Sequence, residues 1–307
     1  MGGSNRSTGA LSRHWLGKVP SLFLISVSLA MAGCSPRHLI IQGIGNELAS
    51  QGDAAEEDLG LAREASAFYL KLSESLLHES PGNLKLAQAV AGGFTQYAFA
   101  FVAFEAERIE SKDAKAAQML NERARRLYMR AHRHGMAALE ASSPGFAAAL
   151  AKPDATHWPV LTEAQVGVAH WAAASWGAAI ALSKDNPDAV ADLPVAFRLA
   201  TIAWKTAPGY GEGSLASLMG SFEASRPSGS LQQATAYFDA AIATGGGKSA
   251  GAFVAKAESI AQPTGDRKAF EALLHHALDA SAARRTVANA AMRERALWLL
   301  AGADDLF

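Results

Sequence analysis

Cysteine is almost missing from this chain: it occurs once in 307 residues, at Cys34. With no second thiol, no intramolecular disulfide can staple the fold, and stability has to come from packing. Apolar residues make up 50% of the sequence, which is ample for that. A basic block is also lacking. Twenty-eight Lys and Arg stand against 29 Asp and Glu, a formal net charge of −1, so the clustered cations that nucleic-acid phosphates demand are absent. Alternating or β-branched runs of strand length are not found either, and no Cys–His set has metal-ligand spacing.

The position of Cys34 is informative. Residues 1–33 carry Arg6, Arg13 and Lys18 with no acidic residue, then an apolar stretch from Leu22 to Ala32. A basic region, a short apolar region and small residues before a cut are the parts of a secretory signal. The apolar stretch is about half the length of a membrane-spanning helix, so cleavage is expected rather than retention. Leu29-Ala30-Met31-Ala32-Gly33-Cys34 fits a lipoprotein box with Cys34 as the lipid attachment residue. The alternative is a free cysteine in an ordinary signal peptide. Loss of three cations with the leader takes the net charge to −4. Ser35, in place of Asp, favours the outer over the inner membrane. The expected organisation is therefore a leader over 1–33, a tether over 34–53, and one domain over 54–307 held at the membrane by its lipid.

That domain reads as all-α. Apolar positions Leu61, Ala65, Phe68, Leu72, Leu76 and Leu77 predict a helix over 59–79, closed by Ser80-Pro81-Gly82-Asn83. Further helices are predicted over 84–108, 112–141, 162–182, 188–206, 213–225, 230–244, 250–261, 266–280 and 286–302. The 84–108 segment, apolar nearly all round through Tyr97 to Phe104, is expected to be centrally buried. A small–ring–small spacing recurs at Ala65/Tyr69/Leu72, Ala124/Tyr128/Ala131, Ala196/Ala200/Ala203 and Ala234/Phe238/Ala241. It suggests a degenerate tetratricopeptide-like helical repeat, against the alternative of ordinary packing in an Ala-rich protein.

Candidate chemistry is thin. Gly247-Lys248-Ser249-Ala250-Gly251 has the letters of a nucleophile elbow, with Asp266 and His275 downstream, yet the preceding segment is helical where the elbow needs a strand. His132/His134 and His275/His276 are spaced one or two apart, so their rings leave a helix in different directions and cannot share a metal. The run Arg123, Arg125, Arg126, Arg130 and Arg133 reads as a solvated helix face. No catalytic residue, metal or cofactor is expected. Tyr97, Trp171, Trp176, Trp204 and Tyr210 are the candidate lining of an apolar pocket or groove, or else core rings.

The order of several short elements resembles one family. They are Leu61-Ala62-Arg63-Glu64-Ala65, Pro81-Gly82-Asn83, Gln96 through Val102, Arg123-Ala124 with Leu127 through Ala131, and His170-Trp171-Ala172-Ala173 with Trp176-Gly177. Ala191-Asp192-Leu193-Pro194, Asp266-Arg267 with Phe270, and Arg295-Ala296 with Leu299-Leu300 complete them. From about Asp58 to Phe307 the chain looks like the T-component of TRAP transporters, the tripartite ATP-independent periplasmic systems. Ser228-Gly229-Ser230 departs from the Gly pair expected there. The resemblance implies a non-enzymatic periplasmic lipoprotein that binds the solute-binding P-component, helps pass on a ligand of hydrophobic character, and forms a homo-oligomer. The other reading of a helical lipoprotein is a scaffold for envelope assembly.

Overall fold

Side-chain caps decide where the helices begin. In the computed structural model, which describes residues 58–307, Asp58 accepts hydrogen bonds from the amides of Gly60 and Leu61 (2.9 and 3.1 Å) and starts helix α1, Leu59–Glu79. Asn83 likewise starts α2, Leu84–Ala98, and Asp113 starts α4, Ala114–Ser142. Such caps satisfy amides that the first helical turn leaves without partners, each contributing about 1 kcal/mol. The leader, Cys34 and the 34–53 tether lie outside the described residues.

Between α2 and α3, Phe104–Ile109, the helix widens into a π turn, Phe99–Ala103. Short α5, Phe146–Ala151, follows α4. Then come α6, Glu163–Ala181; α7, Pro187–Ala191; α8, Leu193–Thr206; α9, Ser214–Ser225; and α10, Leu231–Thr244. Helix α11, Ala250–Lys256, ends in a second π turn, Ala257–Ala261. Last are α12, Arg267–Ala283; α13, Val287–Ala301; and the single turn α14, Ala303–Leu306. The described residues contain no strand, and the fold is all-α.

Helix α6 is the axis. It packs against α2, α4 and α8, and its residues 165–170 are all buried. The main core gathers Leu86, Val90, Phe94, Leu139, Phe146, Val166, Leu199 and Leu215 around it, each large side chain contributing about 2 kcal/mol by leaving water. Residues 84–109 form the one helix among those described that is long and apolar enough to cross a membrane; 56% of its most apolar window is buried inside the protein. A second cluster, from α11, α12 and α13, centres on Val254, Phe270, Leu274 and Leu299.

Small residues set the helix spacing. A Cβ on Gly135 of α4 would sit 2.8 Å from that of Ala172 on α6, and one on Gly220 of α9 would sit 3.0 Å from the Phe238 ring of α10. Three of the four small–ring–small triplets, at 124/128/131, 196/200/203 and 234/238/241, are buried between helices. The triplet at 65/69/72 is not: Tyr69 and Leu72 face solvent, as do Leu61 and Phe68. Helix α1 buries its other side instead, through Ala62, Leu70 and Leu77.

Gly213 occupies a position that only glycine fits. Its φ is 94°, and a Cβ there would collide with the Ala241 carbonyl of α10. Gly213→Ala should therefore cost about 3 kcal/mol, combining left-handed strain with the clash. Chemical denaturation measures it, and a loss under about 1 kcal/mol would mean that the turn relaxes freely.

Candidate functional site

The aromatic residues singled out in the sequence are all half-buried against the main core or beside it. The structure brings two of them to one place. Trp171 and Tyr210 both contact the ring of His170, at centroid distances of 4.8 and 5.4 Å. Trp176 instead lies on the His132 ring at 4.3 Å, Trp204 meets Tyr237 edge-on at 5.4 Å, and Tyr97 meets Phe101 at 5.4 Å.

The Trp171–His170–Tyr210 group depends on two glycines. Thr162 and Gln165 form a capping box that fixes the start of α6, and Gln165 also donates to Ser142 and Ser143 Oγ (2.8 and 2.9 Å), tying that start to the end of α4. One turn further on, Gly167 lets the Gln88 amide oxygen of α2 and the Tyr210 hydroxyl approach; a Cβ there would lie 2.7 Å from that hydroxyl. A Cβ on Gly92 of α2 would lie 2.8 Å from the Trp171 indole. Tyr210 belongs to a 3₁₀ turn, Tyr210–Gly213, in which Glu212 has a positive φ of 52° and is held by Arg284. His170 is 3% exposed, and its Nδ1 is buried with no hydrogen-bond partner. Burial alone pulls its pKa down to about 4, so the ring is neutral at pH 7, and burial pushes the Tyr210 phenol up to about 12.

Two ionic centres lie elsewhere. Glu74 of α1, its side chain 5% exposed, takes Lys71 Nζ at 2.6 Å, Arg130 Nε at 2.5 Å with a second bond from Arg130 Nη2, and His134 Nε2 at 2.8 Å. Burial pulls the Glu74 pKa up, but these three partners outweigh it and hold the carboxyl down at about 2. Arg130, expected on a solvated face, is thus an anchor between α1 and α4 and covers the Phe94 ring at 4.9 Å. Arg295 of α13 binds Glu258 of the second π turn (2.6 Å) and Glu107 of α3 (2.8 Å). Its guanidinium lies within 6 Å of the Phe99, Phe104 and Trp298 rings, while Nη1 is buried without a partner. An open recess of about 430 Å³ lies between the start of α1, the first π turn and α13. Its walls mix Arg63 and Arg108 with Glu105 and Glu294 over Phe101 and Phe104.

The elbow letters around Ser249 do not build a nucleophile. Ser249 precedes α11 in a turn after helix α10, the Asp266 carboxylate is engaged in capping α12, and His275 is exposed on α12. His132 and His134 have separate partners, the Ala172 carbonyl (3.2 Å) and Glu74. Among the described residues no group of three His, Cys, Asp or Glu side chains is placed to hold a metal. Sequence reasoning missed Gln88, Glu74 and the role of His170. The one available signal was glycine inside the apolar helices at 92 and 167, where it costs about 1 kcal/mol relative to alanine unless a neighbour needs the space.

Comparison with known proteins adds the context. A family model described as TRAP transporter T-component matches residues 55–307. An uncharacterized protein of Treponema pallidum (strain Nichols) is 26% identical over 314 aligned residues, covering 93% of this chain and 96% of the relative.

Proposed function

The chain belongs to the TRAP transporter T-component family, and from that premise we propose that it is a lipid-anchored periplasmic accessory which binds the system's solute-binding P-component and helps transfer an apolar ligand. Membership carries a role in TRAP transport in general. The family match across the whole helical domain is the observation behind it. Cys34 at the end of a leader-like segment supports the lipid anchor, with cleavage before it and residues 34–53 as tether. Tethering confines the domain to the compartment of its partners and raises their effective concentration. The bilayer facing the anchor is the outer membrane, on the strength of Ser35, and self-association into a homo-oligomer belongs to the same reading.

Within this reading the ligand meets the aromatic group of Trp171, His170 and Tyr210. Half-buried rings give the apolar wall, while Gln88 and the Tyr210 hydroxyl supply the few polar groups that orient a bound molecule.

Affinity capture of the full-length protein from detergent-solubilised membranes tests the proposal. A periplasmic solute-binding protein should be enriched with it, and Cys34→Ser should move the chain to the soluble fraction with an unchanged melting temperature and reduced uptake. Recovery of envelope-assembly proteins without any solute-binding protein would select the scaffold reading instead. An intact mass that shows no acyl group on Cys34 would remove the lipid anchor.

A further inference from the structure

Helix α1 has two apolar faces, and the fold uses one. Its outward ridge is Leu61, Phe68, Tyr69 and Leu72, exposed at 55, 67, 45 and 38%. These positions recur at the i, i+7, i+8, i+11 spacing of one helical stripe, with Ala65 between them. Phe68 and Tyr69 meet edge to face at 5.9 Å, so the ridge is continuous. Isolated exposed apolar residues are ordinary, but a packed row marks a contact surface.

The dimensions and the position of the ridge select its occupant. From Leu61 to Leu72 it is about 16 Å long and one helix wide, short of the roughly 800 Å² that each partner buries in a stable protein–protein interface. A bilayer needs no complementary groove; it accepts a single amphipathic ridge, with aromatic rings at the headgroup level. Helix α1 is also the first described element after Cys34. About two dozen residues separate them, no more than ~80 Å at full extension, so of all the described helices α1 is the one joined to an acylated Cys34 by the shortest length of chain.

We propose that α1 lies on the lipid surface, with Phe68 and Tyr69 seated at the boundary between headgroups and acyl chains and Leu61 and Leu72 beside them. The proposal rests on the reading of Cys34 as the lipid-bearing residue. The contact orients the domain on its anchor, so that the sides of the bundle away from α1 face the periplasm. Its driving force is apolar, because a net charge of −4 after loss of the leader gives no attraction to an anionic leaflet. The contact is therefore insensitive to salt.

The test places an environment-sensitive dye on Phe68→Cys in the full-length lipidated protein, and on Met119→Cys as the control, an exposed site of α4. Both are reconstituted in vesicles of phosphatidylethanolamine and phosphatidylglycerol containing a nitroxide-labelled lipid. At position 68 the emission should shift to the blue and be quenched several-fold more than at 119, equally in low and high salt. Equal quenching at the two sites overturns the proposal. A blue shift at 68 that is already present without vesicles and grows with protein concentration also overturns it, assigning the ridge to a second copy. Intact mass reports acylation separately. Should it show none, the lipid-anchor reading fails, and the same variants carrying Cys34→Ser, held through an N-terminal His tag on nickel-chelating lipid, decide the α1 question by the same comparison.

Discussion

Replacing Arg295 by leucine should destabilise the protein by about 3 kcal/mol, the low end of the range for breaking a buried ion pair. Arg295 is 7% exposed and joins parts of the chain that are far apart in sequence, through Glu107 on α3 and Glu258 at the second π turn. Burial lowers the pKa of such a group, yet the two carboxylates more than reverse that and raise it above its ordinary value. The low end applies because Glu107 and Glu258 are 38 and 27% exposed and can turn to water once their partner is gone. Leucine would also abandon three rings that the flat guanidinium faces. Arg295→Lys keeps the charge but loses the fork, which binds both carboxylates at once, so most of the loss should remain. Urea denaturation gives the free energies. Hydrogen exchange should show residues 99–109 and the turn at 257–261 opening together in the leucine variant, ahead of α6. If the leucine variant loses less than about 1 kcal/mol, the guanidinium does not join these segments.

Much of the fold was legible because its signals are local. Asp58, Asn83, Asp113, Thr162, Ser230, Asp266 and Thr286 stand at the starts of helices as caps, and apolar periodicity marks the stretches between. The features that were not legible depend on distant neighbours. Leu61, Phe68 and Leu72 have the spacing of a buried stripe, and nothing near them in sequence says that α2 and α4 meet the opposite side of α1. Arg130 sits among four arginines that point to solvent or lie near the surface; its partner, Glu74, is 56 residues away. The two π turns have no composition of their own, and the 188–206 segment reads as one helix although it divides at Asp192. The aromatic set shows the same boundary. Trp171 and Tyr210 come together through His170 and the space left by Gly167, a contact between α6 and a turn 40 residues on, whereas Trp176 and Trp204 find other rings.

The second large effect is acid lability centred on His170. Its folded pKa, about 4, lies below the ordinary 6.5 because the ring is buried with nothing to stabilise a charge. A depressed folded pKa means that the unfolded chain binds the proton first as pH falls, so the native state is fully favoured above pH 6.5 and loses ground from there down to about pH 4. Between pH 7.5 and 4.5 this amounts to about 2.5 kcal/mol. His132 and His134 are shifted the same way, chiefly by burial, and steepen the loss. His170→Leu should remove the His170 share: whatever its stability at pH 7.5, its decline to pH 4.5 should be about 2.5 kcal/mol smaller than that of the unaltered protein. Denaturation curves at the two pH values settle it, and declines equal within about 0.5 kcal/mol would mean that His170 is solvated or already protonated. Glu74 acts in a separate, lower window. Its carboxyl is ordinary in the unfolded chain near pH 4.5 and about 2 in the folded one, so its stabilisation is complete above pH 4.5 and is lost below. The leucine variant should therefore keep its acid unfolding below pH 4.5 while losing much of the slope above it. That difference separates a buried neutral imidazole from a buried charged carboxylate within one titration.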